Sequence, residues 1–211
     1  MATRSDLRTL LRDLIDEPNP VFWSDARLNR SINASLQQLA GEITERGSDY
    51  YVKRDATSIT TVASTAYVAL PTDFVRLRRI YNSDGEYLTP RQFKLLDPDD
   101  TDEPMYFEII NDNIYFQPIP DAVYVLPIEY WYKPADMSSD SDTPDFPAAY
   151  HNLLAWDAAV TSILQDSNES RGLQRKYEQM KQTMLSALMT RQSYDVPHVQ
   201  HGSNDYGPQD V

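Results

Sequence analysis

A chain of 211 residues, 41% of them hydrophobic, is long enough to bury one sizeable core or a core with an inserted subdomain, and too apolar to be disordered throughout. It contains no cysteine, which excludes disulfides, thiol nucleophiles and thiolate zinc sites together and fits a reducing cytoplasm. The net charge of -13 is regional: residues 1–96 carry 13 Lys/Arg against 12 Asp/Glu, residues 97–145 carry 13 Asp/Glu and 1 Lys, and residues 146–211 carry 7 acids against 5 bases.

The opening stretch "MATRSDLRTLLRDLIDEP" breaks its leucines with charges, so it is not the apolar core of a signal peptide. No apolar run approaches the roughly 20 residues that span a bilayer. Leu7, Leu10, Leu11, Leu14 and Ile15 recur at helical spacing, with Thr3 or Ser5 as the cap, and Pro18 and Pro20 end the helix. A second helix begins at Ser24 and ends at Gly47. Leu28, Ile32, Leu36, Leu39 and Ile43 form its apolar stripe, and Phe22 and Trp23 are placed to staple its first turns. The polar face of that helix carries no recognisable chemistry, which leaves the question of what it is for.

The period then changes. "TSITTVASTAYVAL" and "FVRLRRIY" are rich in β-branched and aromatic residues, and "NSDG" turns into "EYLTP" as in a hairpin. "MYFEIINDNIYFQPIP" repeats the device with its turn at Asn111-Asp112-Asn113. "VYVLPIEYWYKP" is a further strand, and Pro127 inside it predicts an edge position or a bulge. "RQFKLL" fits a single helical turn. "ADMSSDSDTPDFP" reads as a solvated loop. Helix returns in "AAYHNLLAWDAAVTSILQD", apolar nearly all round and so central, and in "SRGLQRKYEQMKQTMLSALM", with Leu173, Tyr177, Met180, Met184 and Leu188 in one stripe.

The fold class expected is α+β. N- and C-terminal helix pairs (1–50 and 146–190) form a helical bundle, an antiparallel β-sheet region (51–145) is inserted between them, and 191–211 is an extended C-terminal arm. That last segment has no apolar period and builds no core of its own, so a partner is expected to hold it; 20 extended residues reach about 66 Å.

Catalytic and ligand-binding patterns are weak. The acids of "DPDDTDE" and Asp140, Asp142 and Asp145 lack the glycine and distal glutamate of an EF-hand loop and read as solvated loops. His151 lies in an apolar helix, where a packed, hydrogen-bonded role is expected, and the His198/His201 spacing is poor for a metal. There is no nucleophile elbow, phosphate-binding loop or dinucleotide fingerprint. No catalytic, cofactor or metal residues are therefore assigned. Arg76, Arg78 and Arg79 beside Tyr81 make a basic cluster. Strand alternation puts Arg76 and Arg78 on one face and Arg79 on the other. The cluster suits either an edge guarded by charge or a contact with the acidic segment of a neighbouring subunit.

Three stretches taken together resemble a known family. Trp23-Ser24-Asp25 leads a helix with Ile32-Asn33-x-Ser35; "LPTDFVRLRRIY" sits mid-chain; "YWYKPADMSSDSDTPDFPAAYHNLLAWDAA" leads into the last helices. Their order and spacing over residues 5–190 resemble the head-to-tail adaptor (connector, head-completion) proteins of tailed bacteriophages, including the tail tubular A proteins. The resemblance implies a non-enzymatic virion protein of the neck, made in the host cytoplasm. It implies a homo-oligomeric ring of about twelve copies beneath the portal, with DNA passing through the lumen unread and a tail or nozzle protein on the far side. It also implies that the C-terminal arm reaches the portal, which singles out Tyr194, Val196, Pro197, His198, Val199 and Tyr206. Arg27, Arg30, Arg76, Arg78 and Arg79 are candidates for the subunit interface. Asp99, Asp100, Asp102 and Glu103 are candidates for the lumen or the tail partner, since acids keep a DNA channel from sticking. The alternatives are a tail-completion or terminator protein elsewhere in the neck, or a small acid-rich hydrolase. The hydrolase would show itself by a pocket holding a strongly perturbed carboxylate pair.

Overall fold

The computed structural model describes residues 1–19, 22–92, 100–162 and 170–190. Along the chain come α1 (Arg4–Leu14), α2 (Asp25–Glu45), β1 (Val52–Thr60), β2 (Tyr67–Ala69), β3 (Phe74–Ile80), β4 (Thr89–Pro90) and β5 (Thr101–Asp102). Then follow β6 (Tyr106–Ile110), β7 (Asn113–Gln117), β8 (Ile119–Pro120), β9 (Val125–Tyr132), α3 (Asn152–Ser162) and α4 (Ser170–Thr190). The order is that of an α+β chain, helices at both ends and strands between. The arm beyond Thr190 and most of "RQFKLL" lie outside the described residues.

Thr3 caps α1 in a reciprocal box with Asp6, each side chain bonded to the other's backbone N–H. The helix stops where Asp16 turns to a φ of 55°, two residues ahead of Pro18. Ser24 caps α2 through the Arg27 N–H, and Gly47 at φ 78° ends it, a conformation that costs a side-chain-bearing residue more. Trp23 packs on the helix core as expected. Phe22 does not: it is 76% exposed and lies edge-to-face with the Trp23 ring.

All four helices contribute to one buried cluster. It holds Leu7 and Leu11 of α1, the full α2 stripe, Leu153, Leu154 and Ala158 of α3, and Tyr177, Met184 and Leu188 of α4. α3 packs against each of the other three, which is why its sequence is apolar nearly all round. Each fully buried leucine contributes about 1.5–3 kcal/mol. His151 is buried just ahead of α3 with Nε2 at 3.0 Å from the Phe146 carbonyl, the packed role expected of it.

One group in this cluster is out of place. Asp157 of α3 is fully buried, and Ser35 Oγ, Tyr177 Oη and both its own oxygens lack hydrogen-bond partners of acceptable geometry. Burial raises its carboxyl pKa above the ordinary 3.8; the Tyr177 and Ser35 hydroxyls and Lys181 work in the other direction without winning. The folded state therefore binds this proton more tightly than the unfolded chain does, and stability is lost as pH rises through the folded pKa. Asp157→Asn, which keeps the shape and cannot ionise, is expected to stabilise the fold by on the order of 1 kcal/mol at pH 7.5. The gain should shrink as pH approaches 3.8. Thermal unfolding of both forms at pH 4.5 and 7.5 checks it; an equal or lower midpoint for the variant at pH 7.5 would contradict the assignment.

The strands form a three-stranded sheet β1-β9-β3, a four-stranded sheet β2-β7-β6-β4 and the short pair β5-β8. Pairing is mainly antiparallel, as expected, but β4–β6 and β5–β8 run parallel. The two larger sheets share a second core of Ile59, Ile80, Ile114, Phe116, Leu126, Ile128 and Tyr130. The expected single run from 57 to 70 is split between these sheets. The "NSDG" hairpin closes only one bridge, Tyr81 with Tyr87, before the chain leaves to join β6. At the second hairpin Asn111 supplies the turn with φ 54°.

Pro127 is not on an edge: β9 is the central strand of its sheet. It sits opposite a bulge, where β1 advances from Asp55 to Ile59 while β9 advances only from Ile128 to Leu126. The proline's missing N–H falls at that gap. The Asp55 carboxylate accepts from the N–H groups of Thr57 and Ser58 there, and the Pro127 carbonyl still accepts from Tyr81 on β3.

The segment 133–147 is no solvated loop. It crosses α1 and α2 as a strap, with Met137 and Phe146 each 3% exposed in the helix core. Asn33 of α2 donates to the Met137 carbonyl and accepts from its N–H, both at 3.1 Å, and Gln37 donates to the Pro134 carbonyl. Arg4 and Arg8 converge on Asp140 and hold its carboxyl well below the usual range. Asp142 accepts the N–H groups of Ser139 and Ser138. The polar face of α2 thus has work within its own chain, and part of the acidic segment is neutralised locally.

Candidate assembly interface

The β1-β9-β3 sheet turns one face to the second core and the other outward. Pairing register sets the outward face. Arg54 lies opposite Glu129 and Val52 opposite Trp131 on one side; Arg79 lies opposite Glu129 and Arg76 opposite Trp131 on the other. Glu129 and Trp131 are two apart on β9 and share a face, so Arg76 and Arg79 share it too. Strict alternation had put Arg79 on the opposite side. A register shift between Leu77 and Arg79 makes Arg78 an extra residue and brings all three arginines to the outward surface.

Each guanidinium there lies against an aromatic ring. Arg76 sits 4.0 Å from the Trp131 ring centroid and Arg78 sits 5.9 Å from it. Arg54 lies 5.2 Å from Tyr81, and Arg79 lies 5.2 Å from Tyr87 while donating to its hydroxyl at 3.1 Å. Arg78 also pairs with Asp49 at 3.1 Å. Trp131 is fixed in turn by its Nε1–H bond to the Ser48 carbonyl at 2.8 Å, and Tyr81 donates to Glu129 at 2.9 Å. Burial, then that bond, pushes the Tyr81 phenol up, so it stays protonated and donating. Stacking on rings fixes the arginines before any partner arrives, which lowers the entropy lost on binding. Arg54 and Arg76 make no ion pair with any described residue. Arg54 escaped the sequence reading, although the alternation "VKRDAT" places it on the right face.

Beside this face, between the edges of the two sheets, runs an open groove of about 470 Å³. Its floor is Leu77, Ile80, Leu88, Phe107 and Ile109, and Arg76, Arg78 and Arg79 form its rim.

The other expected interface residues fall elsewhere. Arg27 lies over Trp23, 3.8 Å from its ring centroid, and Arg30 is exposed on α2, away from the sheet arginines in sequence and element. Asp100 and Asp102 are exposed. Glu103 is half-buried and accepts from the Ser83 N–H and hydroxyl at 2.9 and 2.6 Å. Asp99 lies outside the described residues, as do Tyr194, Val196, Pro197, His198, Val199 and Tyr206.

A second groove, of about 440 Å³, lies between the sheet and the strap and includes Asp73 and Asp145. Asp73 takes Lys53 at 2.6 Å and the Tyr130 hydroxyl at 2.9 Å; Asp145 takes the Tyr132 hydroxyl at 2.9 Å. Burial works to raise the Asp73 carboxyl, but its bonds from Lys53 and Tyr130 outweigh this and leave it lowered. The raised carboxyl, Asp157, is sealed among helices and lines neither groove. Among the described residues no three His, Asp or Glu side chains are placed to hold a metal ion, and no helix is long and apolar enough to cross a membrane.

Compared with known families, residues 2–201 match the family described as SU10 adaptor protein. The chain belongs to that family. Membership bears out the resemblance to phage head-to-tail adaptors and supports a structural role in the phage particle. A comparison with curated proteins found no match.

Proposed function

We propose that this chain is a head-to-tail adaptor of the virion neck. About twelve copies form a closed ring beneath the portal, extend the DNA channel without reading sequence, and offer a platform to the tail or nozzle protein. The observation that carries this reading is the family match over residues 2–201, which spans the helices, the strands and the start of the C-terminal segment. In this reading the four helices act as a bundle, 51–145 is a β-rich insertion, and residues 191–211 reach the portal through Tyr194, Val196, Pro197, His198, Val199 and Tyr206. The net charge of -13 keeps free copies soluble and apart, and a completed portal ring presents them to one another at high effective concentration.

Deleting residues 192–211 is therefore expected to leave a folded protein that no longer docks on purified portal. Co-sedimentation with portal, with circular dichroism as the control for folding, measures this. Normal docking of the truncated chain would remove the arm from the mechanism.

A further inference from the structure

The groove beside the arginine face is unfinished apolar surface. Leu77 of β3 and Phe107 and Ile109 of β6 stay half-buried at its floor, and Tyr87 in its wall is 60% exposed. Arg76, Arg78 and Arg79 stand along its rim. Two acids beside these arginines are already engaged: Asp49 pairs with Arg78, and Glu129 accepts from Tyr81. Arg76 has the Trp131 ring beneath it and no carboxylate against it, and Arg79 donates to a phenol. A groove of this kind suits an anionic segment with an apolar anchor. β3 is a poor template for an added strand, because its register breaks between Phe74 and Arg76 and again between Leu77 and Arg79. Recognition would therefore come from side chains.

One segment of this chain has that chemistry. Residues 192–211 carry three aspartates and no lysine or arginine, and in "NDYGPQDV" Tyr206 stands between Asp205 and Asp210. We propose that in the free protein this arm lies back on its own subunit. The Tyr206 ring enters the groove between Leu77, Leu88 and Phe107, and Asp205 and Asp210 meet Arg76 and Arg79. Reach allows it. Tyr206 follows Thr190 by 16 residues, about 53 Å when extended. From the far end of the helices the way back is about 31 Å along α2 and about 10 Å along β3 to Leu77. The chain's own arm is favoured over a neighbour's, since the tether holds it near the groove at high effective concentration while a net charge of -13 keeps copies apart. In the adaptor reading Tyr206 is also offered to the portal, so the held arm and the docked arm exclude each other. The held state itself does not rest on that reading.

The chain has no cysteine, so an introduced pair reports alone. Pro90→Cys at the edge of the groove and Gly207→Cys beside Tyr206 are placed together in the full-length free protein, which is then mildly oxidised. The expected product is a disulfide within one chain, running as a monomer on a non-reducing gel. Adding Arg76→Glu/Arg79→Glu should lower its yield roughly tenfold. Adding Asp205→Lys/Asp210→Lys to that chain should restore it, with circular dichroism as the control for folding. No disulfide in the parent pair, equal yields with and without the arginines, or no recovery in the folded charge-reversed chain would each overturn the proposal. Disulfide-linked dimers in place of monomers would mean that the groove takes another copy's arm, and the proposal fails. Loss of duplex DNA binding in the arginine variant, with disulfide yield unchanged, would give the face to nucleic acid instead. If the bond forms within one chain and the protein never docks on portal, this inference stands and the adaptor reading falls.

Discussion

Met137→Ala is expected to lower the unfolding free energy by about 2–5 kcal/mol, the cost of emptying a buried methionine site. A solvated loop residue would change almost nothing, so the size of the effect separates a strap from a loop. Asn33→Ala should cost about 1–3 kcal/mol, because the Met137 N–H and carbonyl would lose their partner on α2. Urea unfolding gives both values, and limited proteolysis within 133–147 should quicken in both variants. The Asp140 carboxyl adds a pH signature. Its pKa is held down by Arg8 and Arg4, so its contribution is present above the ordinary 3.8 and fades as pH falls below it. An unchanged urea midpoint for Met137→Ala would mean that the strap rides loosely on the helices.

Phe116→Ala is expected to cost about 3–5 kcal/mol, because Phe116 is fully buried between the two larger sheets. The loss should not stay confined to the strands. Tyr132 packs against both cores, Trp131 is bonded to the Ser48 carbonyl beyond α2, and Tyr51 donates to the Asp145 carbonyl in the strap. The variant should therefore still unfold in one transition, at a lower temperature, by both near- and far-ultraviolet circular dichroism. Two separated transitions would show that the β region is an independent unit.

The helices were legible from the sequence because caps and stripes are local signals. Thr3, Ser24 and Gly47 act over a single turn, and the α2 leucines and isoleucines need only the 3.6-residue period to be found. The strand region was legible in type and turn, less so in partnership. Pro127 announced a bulge or an edge, and choosing between them needed the opposing strand, since the accommodating residues are Asp55 to Ile59. Arg79 was placed on the wrong face for the same reason: a one-residue shift opposite Glu129 reverses every side chain beyond it. The strap was hidden because Ser, Asp and Pro are the composition of an exposed loop. Its partners, Arg4, Arg8, Asn33 and Gln37, lie about a hundred residues or more away. Of the interface residues, the arginine cluster could be named from sequence, but Arg54 and the aromatic rings beneath the guanidiniums came only with the register.

In the proposed reading, this chain works as one member of a ring between a portal and a tail. Averaged images of purified necks, recorded with and without a tag on this chain, test it most directly. A closed ring of tagged copies directly beneath the portal, coaxial with the DNA path, is the expected image. Tag density at some other place in the particle, or single copies with no ring, would contradict it.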